Sequence, residues 1–247
     1  VKRAPKKRQE LWRERGVVPR GVDREVVEAL HRTHIGDDQD PEHILEHAVR
    51  TALADGWAGS MIATDISDIL FGTPAPVLGQ ANLGVIKENM VNVVVHGHEP
   101  SLSEMIVAAS QSPDIIEYAK AAGAEGIQLS GICCTANEIL MRQGIPAAGN
   151  FLHQELSIMT GAVEAMVVDV QCIMQALVAL ADNFHTKVIT TSPKVKVKGA
   201  THIEFEEGKA LTIAKEILKT AIDNFANRDN DKTQIPDIRE DLVPGFS

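Results

Sequence analysis

From Val91 onward the chain alternates short, continuous apolar runs with longer stretches whose apolar residues recur at three and four positions. The runs "VNVVVHG" (91–97), "GIQLSGI" (126–132), "AMVVDV" (165–170) and "KVITTS" (187–192) predict strands, with weaker candidates at "APVLG" (75–79), "PAAGN" (146–150) and "THIEF" (201–205). Helical spacing covers 101–122 with a break at Ser112 and Pro113, then 136–143, 153–160, 173–183 and 207–226. The stronger strand candidates are continuous apolar runs rather than alternating ones, so both of their faces are expected to be covered. Repeated alternation of such strands with helices predicts an α/β fold: a doubly wound, mostly parallel Rossmann-like sheet.

The pattern before residue 74 is helical. "DREVVEALHRTH" (23–34) has Asp23 as its expected N-cap, and a polar turn separates it from "ILEHAVRTALADG" (44–56) and "SMIATDISDILFG" (60–72). The organisation expected is therefore a basic arm or linker at 1–22, a helical lead-in at 23–73, the α/β domain at 74–226, and a polar exit linker at 227–247 toward a missing C-terminal domain. No P-loop is present, and no glycine fingerprint follows a strand and opens a helix, so nucleotide binding has no support.

Composition sharpens this picture. Aromatic residues are only 4% of the 247, so the core is built from Ala, Val, Ile, Leu and Met. Net charge is −10, yet the first twenty residues carry eight Lys/Arg against two Glu, which leaves an acidic body ill suited to nucleic acid. The basic start suits a segment packed on a neighbouring domain, an acidic partner or a membrane surface. No run approaches the roughly 20 apolar residues of a membrane span, and no signal core follows the basic start; a cytoplasmic location is expected.

Three cysteines are too few for a disulfide framework. Their placement is the unusual feature. Ligands of open parallel sheets collect beyond the carboxyl ends of the strands, and three predicted strand ends carry donors: His96 and His98, Cys133 and Cys134, Asp169 and Cys172. Taken alone, His98 reads as a satisfied loop histidine, and a single cysteine as a buried small residue. Thiols and an imidazole together select zinc, copper(I) or iron–sulfur chemistry, and the spacing fits no zinc finger. Successive side chains at a strand end point to opposite faces, so one of the adjacent cysteines faces the crevice. Cys134, next to the start of a helix whose positive end lowers a thiol pKa, is the candidate ligand. Asp55, Asp65 and Asp68 read as caps or surface groups. His43 and His47 share a helix face at a spacing that can hold metal, but no motif supports it, and both read as surface residues.

The segments "VVHGHEPSLSEMIVAA", "GAEGIQLSGICCTANEILMRQGIPAAGNF", "TGAVEAMVVDVQCIMQAL", "TALADGWAGSMIATDISDILFGTP" and "IPDIREDLVPGFS" resemble the middle domain of the anaerobic nickel–iron–sulfur carbon monoxide dehydrogenases. The resemblance implies a Rossmann-like domain and a nickel–iron–sulfur cluster that interconverts CO and water with CO2, two protons and two electrons. By motif match it implies His98 as ligand of the iron outside the cubane, and Cys134 and Cys172 as cluster thiolates. It further implies 4Fe-4S clusters on a missing N-terminal region, thiolates from a later domain, a ferredoxin-like electron carrier, a homodimer in full length, and a possible acetyl-CoA synthase partner. On that reading this segment alone holds a partial site and is inactive. The rivals are the related hybrid-cluster family, which uses a carboxylate ligand and reduces hydroxylamine, and a non-catalytic α/β interaction module with buried thiols.

Overall fold

A computed structural model describes residues 2–243. The chain divides between Thr73 and Pro74 into two compact units. The first holds helices α1 (Lys6–Glu14), α2 (Val22–Leu30), α3 (Pro41–Asp55) and α4 (Ala63–Phe71), with π-helical turns at His31–Ile35 and Gly56–Ile62. The stretch expected as a basic arm is thus in part a helix, since "KKRQELWRE" contains no breaker between Pro5 and Gly16. Asp23 lies inside the first turn of α2, whose N-cap is Gly21; Asp40 is the side-chain cap, accepting from Glu42 N (3.0 Å) and His43 N (3.3 Å) at the start of α3.

Few apolar side chains of this unit are buried; its centre is an ion-pair knot. Glu25, fully buried, accepts from Arg20 Nε (3.0 Å) and Nη2 (2.9 Å) and from Arg50 Nε (2.7 Å), with His47 Nε2 at 3.1 Å. The Arg20 hydrogen bonds hold the Glu25 carboxyl well below the usual carboxylate range, against the opposing pull of burial. His47, expected at the surface, is buried, its Nε2 close to Glu25 but without a hydrogen-bond partner; His43 stays exposed beside Asp38, 2.8 Å away.

The second unit begins with β1 (Gly79–Gln80), β2 (Val91–His96), α5 (Pro100–Ser110), α6 (Pro113–Ala121), β3 (Ile127–Ile132) and α7 (Cys133–Gln143). It continues through β4 (Ala147–Gly149), α8 (Gln154–Met159), β5 (Val163–Val168), α9 (Ala176–Ala181), β6 (Lys187–Thr190), β7 (Thr201–His202), α10 (Ala210–Asn224) and β8 (Asp241–Leu242). Six strands form one parallel sheet in the order β4-β3-β2-β5-β6-β7. The central strands β2 and β5 are buried at every position because both faces are covered. Val93 and Val95 pack with Leu102, Ile106, Ile115, Ile217 and Leu218 on one face; Val94 and Met166 pack with Ile158, Leu177 and Val178 on the other. The doubly wound α/β reading holds.

Several elements differ from the periodicity: α7 starts at Cys133 rather than 136, β7 ends at His202 and α10 starts at Ala210. Of "APVLG", only Gly79 is in a strand, and it pairs with the tail rather than with the main sheet. The strand predicted at 165–170 runs from Val163 to Val168, which leaves Asp169 just past its end. The helix predicted from Ile173 starts at Ala176, since the preceding residues form a tight loop. The exit linker turns back: Gln234 N donates to Thr160 O (2.8 Å), Gln80 Nε2 donates to Asp241 Oδ1 (3.0 Å), and β8 pairs antiparallel with β1.

At the amino ends of the strands, Glu164 of β5 is fully buried and accepts from Asn92 N (2.6 Å), His185 Nε2 (2.8 Å) and Arg228 Nε (2.8 Å). Arg228 also donates to Met90 O (2.8 Å) and Ala162 O (3.1 Å), so one guanidinium ties the end of α10 to two strands. Removing one partner of such a pair leaves a buried charge uncompensated. Arg228→Met is expected to lower stability by about 3–5 kcal/mol in urea unfolding. Lys215→Ala, which breaks the exposed pair with Asp114, is expected to cost less than about 1 kcal/mol; equal losses would contradict this account.

Candidate metal centre

The strand order places a chain reversal between β2 and β5: successive strands run outward from β2 through β3 to β4, and the chain then returns to the other side of β2. Crevices form at such reversals. His96 stands in register with Ile132 on one side and Val168 on the other. The residues that follow, 97–98, 133–134 and 169–172, therefore leave the sheet level with one another.

Asp169 joins two of these exits. Its carboxylate accepts from His98 N (2.7 Å), Glu99 N (3.0 Å) and Val170 N. Gly97, at φ 138°, makes this possible: a Cβ there would collide with the Asp169 carboxylate. Burial raises the Asp169 pKa against the lowering effect of the three amides. With both oxygens engaged by backbone, Asp169 is a brace rather than a ligand. On the β3 side Gly131 lets Ala136 of α7 approach closely, and Thr135 N donates to Gly97 O (2.9 Å).

His98 and Cys172 are brought together. The His98 Nδ1–H donates to Val170 O (3.0 Å), which fixes the tautomer and leaves the Nε2 lone pair to accept from the Cys172 thiol, 3.9 Å away. A histidine oriented this way by a carbonyl is the usual form of a metal ligand. Among the described residues, the non-glycine positions with positive φ are Cys133 (64°), Gln171 (61°) and Cys172 (54°). Each costs about 1–2 kcal/mol in a conformation L side chains avoid, and such strain gathers at functional sites.

The adjacent cysteines divide their surroundings. Cys133 is half-buried against the core face that holds Ile132 and Met166, and Cys134 is exposed, as is Cys172. Burial pushes the Cys133 thiol up to about 11, with Cys172 and Cys134 adding to the shift. Cys134 is raised too, by burial first and then by Cys172, Glu138 and Asp169. This corrects the expectation of a lowered Cys134 pKa: burial first, and neighbouring negative charge after it, outweigh the helix end. The same crowding suits a cation, which removes the repulsion and holds the thiols as thiolates.

A tighter trio of ligand atoms, all within 4.8 Å of one another, lies in the first unit at Glu25, Glu28 and His47. Arg20, Arg24 and Arg50 already neutralise those carboxylates, so the trio is an ion-pair core and not a cation site. A mostly apolar cavity of about 490 Å³ beside Trp12 and Trp57 also lies in that unit, with no cysteine in its lining. Sequence reasoning placed His96 at a strand end but missed Gln154 and the contact the two share: both are fully buried and hold the Cys172 carbonyl. Only the apolar surroundings of a histidine and a glutamine signalled them.

A family model described as the Prismane/CO dehydrogenase family matches residues 1–247. Carbon monoxide dehydrogenase 1 of Methanosarcina mazei is 57% identical over 247 residues, covering 100% of this chain and 39% of that protein. Carbon monoxide dehydrogenase 1 of Carboxydothermus hydrogenoformans is 51% identical over 235 residues, covering 95% and 36%. The as-isolated, nickel-free crystal structure of carbon monoxide dehydrogenase from Thermococcus sp. AM4 superposes with a TM-score of 0.95 at 56% identity, over 99% of this chain and 39% of that one. The chain thus spans about two fifths of the length of these relatives.

The thiol environments make a chemical prediction. In the metal-free chain at pH 8, iodoacetamide is expected to label Cys134 and Cys172 before Cys133, whose thiolate fraction is on the order of one in a thousand. Peptide mass spectrometry over a time course reads the order; fastest labelling at Cys133 would contradict the placement.

Proposed function

Because the chain belongs to the Prismane/CO dehydrogenase family, we propose that it is the cluster-binding segment of a carbon monoxide dehydrogenase, with His98, Cys134 and Cys172 holding part of a nickel–iron–sulfur cluster. The observation that carries this reading is the 3.9 Å approach of the His98 Nε2 lone pair to Cys172 Sγ at the carboxyl ends of β2 and β5. The donor set fits the group: soft thiolates for iron and nickel, a neutral imidazole for a borderline iron.

When bound, the cluster supplies Lewis-acidic metal and electron storage for CO + H2O ⇌ CO2 + 2 H⁺ + 2 e⁻. The residues of this chain act around it. Cys134 and Cys172 bind as thiolates, so loading the site releases protons. Val170 O holds the His98 ring with Nε2 forward, and Asp169 fixes the backbone on which His98 stands. Two thiolates and one imidazole are fewer donors than a cubane needs, and the remaining ligands come from polypeptide outside this chain, as do the clusters that pass electrons to a ferredoxin-like carrier. Homodimer formation, a cytoplasmic location and association with an acetyl-CoA synthase subunit belong to the same reading. Among the described residues no helix is long and apolar enough to cross a membrane.

The exposed thiols of Cys134 and Cys172 weigh against a module with merely buried cysteines. Asp169, with both oxygens on amides, weighs against a carboxylate-ligated hybrid cluster. The test is anaerobic reconstitution of the complete polypeptide with iron, sulfide and nickel, followed by metal analysis and CO-oxidation assay. His98→Ala, Cys134→Ala and Cys172→Ala are each expected to lose nickel and at least about a hundredfold in activity, while Cys133→Ser keeps most of both. Retention of metal and activity in Cys134→Ala or Cys172→Ala would overturn the assignment.

A further inference from the structure

We propose that Gln154 and His96 are positioning residues that clamp the Cys172 carbonyl and thereby hold the Cys172 thiol toward His98; the inference rests on the ligand reading above. The loop 170–174 has no glycine, yet Gln171 and Cys172 both adopt the left-handed conformation. Without an external hold, that backbone relaxes to a commoner conformation and swings the thiol away. The hold comes from two fully buried side chains. His96 Nε2 lies 3.0 Å from Cys172 O, and Gln154 Nε2 donates to the same oxygen at 3.0 Å. Gln154 Oε1 accepts from Met174 N (3.1 Å), so one amide grips the chain on both sides of Ile173. Gln154 is itself anchored, its Nε2 donating to Phe151 O (2.9 Å) at the start of α8.

His96 shows that this grip is demanding. Both neighbours of its Nε2, Cys172 O and Gln154 Oε1 (3.1 Å), are acceptors, so Nε2 carries the proton. Its Nδ1 is then left buried without a hydrogen-bond partner. A buried unsatisfied atom is uncommon and is tolerated where a specific arrangement depends on it. The two metal donors thus hang from one short loop: His98 is oriented by Val170 O, and Cys172 by its own carbonyl.

The experiment is an anaerobic Co²⁺ titration of the metal-free full chain, read by the thiolate-to-cobalt charge-transfer band, with circular dichroism and urea midpoints as fold controls. Gln154→Met removes both polar ends of the clamp and is expected to weaken Co²⁺ binding tenfold to a hundredfold. Adding Gln171→Gly, which makes the left-handed turn easy without the clamp, is expected to restore much of the lost affinity. Gln154→Asn, which draws the amide back by one methylene, replaces Gln154→Met as the deciding variant if the latter does not fold. Wild-type affinity in a folded Gln154 variant, or a weakening that Gln171→Gly does not relieve, would overturn the clamp. Cys172→Ala separates this from the parent reading: it is expected to lose the Cys172 part of the band, and an unchanged band there would overturn the ligand assignment itself.

Discussion

The candidate centre depends on one carboxylate. Asp169 sits just past the end of β5 and receives three backbone amides, two of them from the residues that follow β2. Adjacent parallel strands fix the level at which their ends emerge, but not the path of the loops that leave them. Asp169 supplies that path. It binds the His98 backbone to the β5 exit, so a histidine and a cysteine 74 positions apart meet at 3.9 Å. The cost is a desolvated carboxylate, which the amides offset and the glycine at 97 accommodates.

Strand β5 shows the two ways in which this chain buries an acid. Glu164, at the strand's start, is neutralised by Arg228 and His185 and serves to lock the amino edge and the return of the tail. Asp169, past its other end, is met by three backbone amides rather than by an arginine. Glu25 in the first unit follows the Glu164 pattern, with Arg20, Arg50 and His47 around it. The difference is functional: a carboxylate paired with arginine is closed to further chemistry, whereas thiols without a cationic partner call for one.

The central sheet was legible because "VNVVVHG" and "GIQLSGI" are predominantly apolar without polar alternation, which leaves burial on both faces as the simplest reading. The nearness of the three strand ends was legible because strand order in a doubly wound sheet brings carboxyl ends together, whatever their separation in sequence. Long-range polar contacts were not legible. Nothing local marks Gln154 as the partner of Cys172, or His47 as the neighbour of Glu25. The left-handed turn at 171–172 carries no glycine to announce it, and the late start of α9 follows from that turn. The tail at 227–243 reads as linker because its polar, turn-rich sequence has no period, although Arg228 and the β1–β8 pair return it to the domain.

The claim on which all of this turns is that three strand ends deliver His98, Cys134 and Cys172 to one metal centre. The most direct measurement is anomalous X-ray diffraction from crystals of the chain grown anaerobically with Cd²⁺, a soft ion that prefers thiolate. The account predicts anomalous density in contact with His98 Nε2 and with Sγ of both Cys134 and Cys172, and none at Glu25 and His47. Density confined to the Glu25, Glu28 and His47 trio, or absent from the carboxyl ends of β2, β3 and β5, would contradict it.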